Sequence, residues 1–344
     1  MESIFQKMPE ALLPWYQRDH RQLPWRADRD PYHIWISEIM LQQTRVEAVK
    51  GYYARFLQVL PDIKTLAQAE DDLLHKLWEG LGYYSRVRNL KKAAQVICRD
   101  YGGVFPGEYS EILALPGIGP YTAGAIGSIA FGLPTPAVDG NVLRLVARLT
   151  DDDTPVDTDS YKKQVMSALA EVYPEQAGDF TQAIMELGAT LCGPNRKPEC
   201  DQCPCREFCL GRLSGRADKL PVRLPKRQRR QEDMTLFIIR WDDRYLLEKR
   251  PNTGLLADLW QFPNIQGHLD TMDSVAQMEE MGVKVKEILR QVEKKHIFTH
   301  VQWNMRGVYV EASEGPAGTW LTAEQIRENA ALPTAFRQFF EDMI

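Results

Sequence analysis

The chain has 344 residues, a length that predicts about two domains, each large enough to bury its own core. Hydrophobic residues make up 44% and charged residues 26%, without any run of about 18 apolar residues, which excludes a disordered chain and a membrane-spanning helix. The net charge of −5 disfavours nucleic-acid binding only weakly, because phosphate contacts depend on where charges lie and backbone amides also make them. The first residues lack the pattern of a secretory signal or lipid anchor, so we expect a cytoplasmic protein.

Residues from about 4 to 192 show apolar positions at spacings of three and four, with short breaks at glycine or proline. Leu74, Leu77 and Leu81 form one such series, and Leu143 and Val146 belong to another. This periodicity predicts an all-α region.

Glu38 lies on the apolar face of one of these predicted helices. Its neighbours three and four residues away include Ile34, Trp35 and Leu41. Apolar surroundings raise the pKa of a carboxyl and keep its proton available at neutral pH, which suits a general acid, whereas a surface glutamate would be solvated and ionised.

A tight turn between two helical stretches follows at residues 115–123, with Gly117 and Gly119 between two prolines. It is typical of a helix-hairpin-helix, in which glycines let the backbone approach a phosphate and free amides at the next helix bind it. A purely structural helix turn is the alternative. Asp139 then leads into another helix, either as its N-cap or as a functional carboxylate.

Five of the six cysteines crowd together, which in an intracellular chain indicates metal rather than disulfides. Cys192, Cys200, Cys203 and Cys209 are the predicted ligands, with seven, two and five residues between them. By chemistry alone they suit a tetrahedral zinc or a four-iron cluster. Cys205 adds a further thiol between these ligands.

Basic residues dominate the stretch from 211 to 231, which also contains two prolines, and this composition predicts a linker that is either a solvated hinge or a phosphate contact. Beyond it the apolar period changes to two, and residues 234–239 and 244–248 predict a β-hairpin. Strand-like runs at 288–292 and 297–310 and helical patterns at 323–329 and 333–343 complete an α+β domain.

The cysteine spacing resembles the 4Fe-4S signature of the endonuclease III-like helix-hairpin-helix superfamily, with one extra residue in the first gap. The runs Leu41–Thr44 and Leu77–Tyr84 closely resemble those of the adenine DNA glycosylase family, and the likeness covers about residues 15 to 210. It implies a base-flipping enzyme of base excision repair with one 4Fe-4S cluster held by the four named cysteines.

By this resemblance Glu38 protonates the leaving adenine and Asp139 stabilises the oxocarbenium ion, with Tyr121 and Asn141 in support. Superfamily members that also cut the DNA backbone place a lysine where this chain has Tyr121, so the resemblance implies a monofunctional glycosylase. The remaining implied substrate and DNA contacts in this domain are Trp25, Arg26, Gln42, Gln43, Leu81, Tyr83, Gly117, Gly119 and Gln182.

Residues 254–264 resemble the Nudix-like domain that this family carries after its linker. Gln277 and Met278 replace charged residues of the metal-binding box, so we do not expect diphosphate hydrolysis. The family reads 8-oxoguanine opposite the adenine through a Phe-Ser-His turn, and this chain has Phe298, Thr299 and His300.

The sequence therefore predicts a multidomain protein. An all-α helix-hairpin-helix glycosylase domain spans residues 1–215 and includes the 4Fe-4S loop at 192–209, a basic linker spans 216–231, and an α+β Nudix-like domain spans 232–344. The expected partner is double-stranded DNA with adenine opposite 8-oxoguanine or guanine, bound by a monomer near the bacterial nucleoid. The alternatives are an endonuclease III-type lyase and a non-catalytic iron-sulfur DNA-binding protein.

Overall fold

The computed structural model describes residues 2–194, 196–225 and 228–342, without the side chains of Glu2 and Ser3. Two basic residues of the predicted linker, Lys226 and Arg227, lie outside the described residues, as does Met343 in the predicted C-terminal helix. Contacts divide the chain into two compact units, Met1–Ala69 with Asn89–Pro225 and Glu70–Arg88 with Lys226–Ile344. The domain boundaries expected at 215 and 232 remain predictions.

The chain before the linker is helical, which confirms the prediction of an all-α region. Its helices are α1 (Glu2–Asp19), α2 (Pro31–Leu41), α3 (Val46–Val59), α4 (Ile63–Gln68), α5 (Asp71–Leu77), α6 (Ser85–Asp100), α7 (Tyr109–Ala114), α8 (Pro120–Phe131), α9 (Gly140–Thr150), α10 (Asp159–Ala170), α11 (Ala177–Ala189) and α12 (Leu210–Leu213), with short 3-10 turns at Pro24–Arg26 and Cys200–Gln202.

One core of the helical unit lies among α1, α9, α10 and α11. Leu12, Val146, Tyr161 and Phe180 belong to it, and each is almost fully buried. Burial of a large apolar side chain stabilises a fold by about 1.5–3 kcal/mol, so these helices hold one another in place. The loop that carries the cysteines packs against the same core through Cys192, Cys205 and Cys209.

Two close backbone approaches shape the region between the hairpin and Asp139. Gly117 has a φ of 76°, a left-handed conformation that favours glycine, and it forms the hairpin turn between α7 and α8. A Cβ at Gly124 in α8 would lie 2.1 Å from the carbonyl oxygen of Pro136. Only glycine lets the segment before Asp139 cross α8 so closely, and this crossing brings Asp139 toward the start of α8.

The second unit is built around a mixed sheet. It includes α5, and its strands and helices after the linker are β1 (Arg230–Trp241), β2 (Arg244–Lys249), β3 (Trp260–Gln261), β4 (Asn264–Gln266), α13 (Thr271–Glu280), β5 (Lys284–Ile297), β6 (Val301–Glu314), β7 (Thr319–Thr322), α14 (Ala323–Asn329) and α15 (Thr334–Glu341).

The strand order is β3-β2-β1-β6-β5, with β4 paired to β1 and β7 to β2. Strands β1 and β2 form the predicted antiparallel hairpin, whereas β1 and β6 run parallel. Alternate residues of β1 point to opposite faces, so Leu236 packs with α14 and α15, and Phe237 packs with α13. The sheet is therefore covered by helices on both faces, which confirms the α+β prediction.

Candidate active site

One cavity in the helical unit brings together the four predicted catalytic residues and three of the predicted substrate contacts. It lies between α2, α8, the start of α9 and α11. The predicted residues that line it are Trp25, Arg26, Glu38, Tyr121, Asp139, Asn141 and Gln182. Residues far apart in the sequence thus meet at one site, although their individual roles remain predictions.

Glu38 is buried in the wall of this cavity, with 6% of its surface exposed. The hydroxyl of Tyr121, at the start of α8, donates a hydrogen bond of 2.8 Å to Glu38 Oε2. Burial raises the pKa of Glu38 to about 7, the nearby charge of Asp139 also raises it, and the Tyr121 hydrogen bond and Arg26 lower it. The carboxyl is therefore protonated in a large fraction of molecules near neutral pH.

Asp139 is the N-cap of α9. The hydrogen bonds that cap the helix are the same ones that hold its carboxylate at the cavity, so the two interpretations of this residue are compatible. Its Oδ1 accepts hydrogen bonds of 2.8 Å from the backbone amides of Asn141 and Val142, and its Oδ2 accepts one of 2.7 Å from Asn141 Nδ2. Burial raises the pKa of Asp139, while these donors favour its charged form. The donors fix both oxygens at the cavity wall.

Two buried arginines of α9, which the sequence reasoning missed, connect this site with the cysteine loop. Arg144 Nη2 donates to Asn141 Oδ1 at 2.9 Å, and its Nε donates to the carbonyl oxygen of Cys192 at 3.1 Å. Arg148 Nη1 lies 3.2 Å from Cys192 Sγ. An arginine is rarely buried without partners. The two arginines among the apolar positions of this helix could therefore have predicted a buried polar contact.

A buried ion-pair cluster at the cavity was also missed. Glu186 of α11 is 1% exposed and pairs with Arg21 at 2.6 Å and Arg26 at 2.8 Å. Burial raises the pKa of Glu186, but the two arginines outweigh it and hold that pKa below its usual range. The cluster fixes Arg26 beside Glu38. Its sequence signal was an acid four residues after Gln182, on the same helical face.

The four predicted metal ligands line one small cavity, together with Arg148, Arg206 and Arg212. Cys205 is fully buried and is not among the residues that line this cavity. In the part of the chain that the structure describes, no group of three or more histidine, cysteine or acidic residues is arranged to hold a single metal ion.

The helix-hairpin-helix and the run after Glu38 lie in the same unit. Gly119 is the N-cap of α8, so the first amides of that helix follow the hairpin turn directly. Gln42 Nε2 donates to Thr122 Oγ1 at 3.4 Å. Gln43 is exposed and has a φ of 59°, a strained left-handed conformation for a residue other than glycine, and such strain concentrates at functional sites.

The other predicted recognition residues meet at a second cavity, within the second unit. Leu81 and Tyr83 line it from one side, and Phe298, Thr299 and His300, in the turn between β5 and β6, line it from another. The hydroxyls of Tyr83 and Thr299 are 2.6 Å apart. Phe298 packs edge-on against Trp303, which anchors the turn to the sheet.

Comparisons with known proteins agree with this architecture. Residues 36–175 match the family described as "HhH-GPD superfamily base excision DNA repair protein", and residues 235–342 match a NUDIX domain. The adenine DNA glycosylase of Homo sapiens is 34% identical over 96% of this chain and 72% of its own length. That of Buchnera aphidicola subsp. Acyrthosiphon pisum (strain APS) is 32% identical over 85% of this chain and 83% of its own length.

Among solved structures, a thermostable thymine-DNA glycosylase superposes with a TM-score of 0.55 and 30% identity, over 62% of this chain and 98% of that one. A trapped endonuclease III–DNA covalent intermediate superposes with a TM-score of 0.53 at 22% identity, which shows the shared fold. Within the described residues, none of the helices has the length and apolar character needed to cross a membrane.

Proposed function

We propose, for a chain that belongs to the adenine DNA glycosylase family, that Glu38 and Asp139 divide the chemistry of adenine removal between them. The observation that carries this proposal is the cavity in which a protonatable Glu38 faces a fully hydrogen-bonded Asp139. Hydrolysis of a purine N-glycosidic bond needs a proton for the leaving base and negative charge near the sugar.

Glu38 supplies the proton. With a pKa of about 7 it is partly protonated at neutral pH and can donate to a ring nitrogen of the flipped adenine. The base then leaves with the electrons of the glycosidic bond, and the sugar becomes an oxocarbenium ion. Tyr121 holds Oε2 of the acid and so leaves Oε1 for the substrate.

Asp139 supplies the negative charge. Three donors hold its oxygens, so the carboxylate needs no reorganisation when positive charge develops on the sugar. Water then adds to the sugar carbon and loses a proton, which leaves an abasic site. Arg144 positions Asn141, one of the three donors, and thereby supports the carboxylate indirectly.

We attribute the monofunctional activity to Tyr121, which stands where a lyase has its lysine. A lyase needs an amine nucleophile to form a Schiff base with the sugar, and a phenol cannot form one. The Tyr121 hydroxyl is instead bonded to Glu38, where it acts on the proton donor. This geometry disfavours the endonuclease III-type alternative, and the buried acid disfavours a protein that only binds DNA.

Two substitutions test this division of labour. Glu38→Gln removes the proton donor and Asp139→Asn removes the charge, so each should abolish adenine release from a duplex while binding of the duplex persists. Single-turnover release and a binding titration measure the two properties separately. Full activity in either variant would contradict the mechanism, and efficient borohydride trapping of the wild type would favour the lyase.

We also propose that Cys192, Cys200, Cys203 and Cys209 hold a 4Fe-4S cluster rather than zinc. Four thiolates around one zinc, with Zn–S bonds of about 2.3 Å, would have to lie about 3.8 Å from one another. The cysteines line a common cavity without such a single-ion arrangement, which fits a larger group. When bound, the cluster would cross-link the loop through four iron–thiolate bonds.

Metal analysis distinguishes the two candidates. We expect about four irons and four acid-labile sulfides per chain. Cys203→Ala should lose this content and Cys205→Ala should keep it, because Cys205 does not line the cavity. One zinc per chain, or loss of iron in Cys205→Ala alone, would contradict the proposed ligand set.

The second cavity is proposed to read 8-oxoguanine opposite the adenine. Thr299 is exposed in a turn, its hydroxyl can both donate and accept, and Tyr83 already bonds to it. Thr299→Ala should reduce the preference for 8-oxoguanine over guanine without abolishing adenine release. Unchanged discrimination between the two duplexes would refute this assignment.

We further propose that the chain acts as a monomer on double-stranded DNA in the cytoplasm. All the residues that line the catalytic cavity lie within one compact unit of the chain, so the proposed chemistry does not need a second copy.

A further inference from the structure

The segment Glu70–Arg88 packs with the C-terminal unit rather than with the helices around the catalytic cavity. Lys249 Nζ bonds to Asp72 Oδ1 at 2.7 Å, and Arg88 Nη1 donates to the carbonyl oxygen of Ala257 at 2.7 Å. This segment carries Tyr83, so the loop that reaches Thr299 is held by the same unit that carries Thr299.

Glu79 lies directly before that loop and bonds to the C-terminal part of the same unit. Its Oε1 accepts a hydrogen bond of 3.0 Å from the backbone amide of Leu332, in the connection between α14 and α15. Its Oε2 pairs with Lys76 Nζ at 2.7 Å, and Lys76 Nζ lies 3.4 Å from the carbonyl oxygen of Ala330. The Glu79 side chain is 14% exposed and Leu332 is 1% exposed, so solvent screens the contact little.

The same connection is fixed to the sheet, because Trp260 donates its backbone amide to the carbonyl oxygen of Ala331. Pro333 and Thr334, which follow it, line the cavity that contains Thr299. Glu79 thus bonds to a connection that is held by β3 and continues into the wall of the cavity.

Directly after Glu79, the backbone adopts left-handed conformations at Gly80 (φ 99°), Gly82 (φ 70°) and Tyr83 (φ 48°). Such a conformation at tyrosine is strained and persists only where the surroundings fix both ends of the turn. Arg86 fixes the far end through Nη2, which donates to the carbonyl oxygens of Leu81 and Gly82 at 3.0 Å. Glu79 fixes the near end.

We propose that Glu79 is a positioning residue for reading the base opposite the adenine. By bonding to the Leu332 amide it anchors the start of the loop Gly80–Tyr83 and thereby holds the Tyr83 hydroxyl at Thr299. This inference rests on the proposed role of Thr299 in recognising 8-oxoguanine.

The test measures single-turnover adenine release from two duplexes, one with 8-oxoguanine and one with guanine opposite the adenine. The readout is the rate with 8-oxoguanine divided by the rate with guanine. Glu79→Ala should lower this ratio about tenfold, the effect of losing one hydrogen bond to a charged group. Glu79→Gln keeps an oxygen that can accept from Leu332, so its ratio should stay within about twofold of the wild type. An unchanged ratio in Glu79→Ala, or equal losses in the Ala and Gln variants, would overturn the proposal.

A matched control comes from α5, the helix that precedes Glu79. Asp72→Asn removes an exposed ion pair between α5 and β2 but leaves the contact with Leu332 in place, so its ratio should not change. If Glu79→Ala does not fold, Glu79→Asp serves instead, because it keeps the charge but withdraws the carboxylate by one methylene. A ratio equal to the wild type in Glu79→Asp would then contradict the proposal.

The double variant Glu79→Ala/Thr299→Ala separates this inference from the function on which it rests. If both residues act through one contact, the double variant should show a ratio no lower than Thr299→Ala alone. Additive losses would refute the positioning role while leaving recognition by Thr299 intact. An unchanged ratio in Thr299→Ala would refute the recognition itself.

Discussion

The hydrogen bond from Tyr121 to Glu38 lowers the pKa of the proposed general acid. It favours the carboxylate over the neutral acid, so it lowers a pKa that burial raises to about 7. Tyr121→Phe should therefore raise that pKa. A hydrogen bond to a charged group contributes about 1.5–3 kcal/mol, and a preference of about 1.4 kcal/mol for one protonation state corresponds to about one pKa unit.

The proposed mechanism requires protonated Glu38, so it predicts that the rate of adenine release falls as the pH rises through this pKa. In the wild type the midpoint of that fall should lie near pH 7, and in Tyr121→Phe it should lie about one unit higher. At pH 8, about a tenth of wild-type molecules would then carry the proton, against about half in the variant.

The assay is single-turnover adenine release measured across the pH range, and its readout is the midpoint rather than the plateau rate. Asp139 and Arg26, the other charges that act on Glu38, are unchanged in this variant. Tyr173→Phe is a matched control, because it removes a hydroxyl that bonds to Thr181 and not to Glu38. A midpoint in Tyr121→Phe that stays in place or moves to lower pH would refute the reasoning.

Two further predictions concern stability. The pKa of Glu38 rises from its ordinary value of 4.5 in the unfolded chain to about 7 in the folded protein, so the folded protein binds this proton more tightly. The free energy of unfolding of the wild type should therefore fall by about 3 kcal/mol relative to that of Glu38→Gln as the pH rises from 4.5 to about 7. Urea unfolding of both proteins at several pH values measures this difference, and a constant difference would contradict it. Glu186→Ala should lower the free energy of unfolding by about 3–5 kcal/mol, because Arg26 loses its buried partner, whereas a loss below about 1 kcal/mol would show that the ion pairs contribute little.

Local sequence patterns were sufficient to predict the elements that hold the site. An acid among apolar neighbours at helical spacing predicted a buried Glu38, and glycines beside prolines predicted the hairpin turn. An acid before an apolar helix left two interpretations of Asp139, a cap or a functional carboxylate, and the structure shows that it caps α9. Each of these features depends on residues within a few positions of one another, where backbone geometry restricts the possible contacts.

Contacts between distant residues could not be predicted in this way. Glu186 meets Arg21 across 165 positions, and Glu79 meets Leu332 across 253. Helical periodicity identifies a buried face but not the element that covers it. The grouping of Glu70–Arg88 with the C-terminal unit follows from such contacts, because that segment continues the helical pattern of its neighbours in the sequence.

The central claim is that this cavity releases adenine from a mispaired duplex and leaves the DNA backbone uncut. It is tested most directly on a labelled duplex with adenine opposite 8-oxoguanine, divided after reaction into samples with and without hot alkali. We predict free adenine in both samples and strand breaks at the adenine position only after alkali. Intact adenine, or strand breaks that match base release without alkali, would contradict the account.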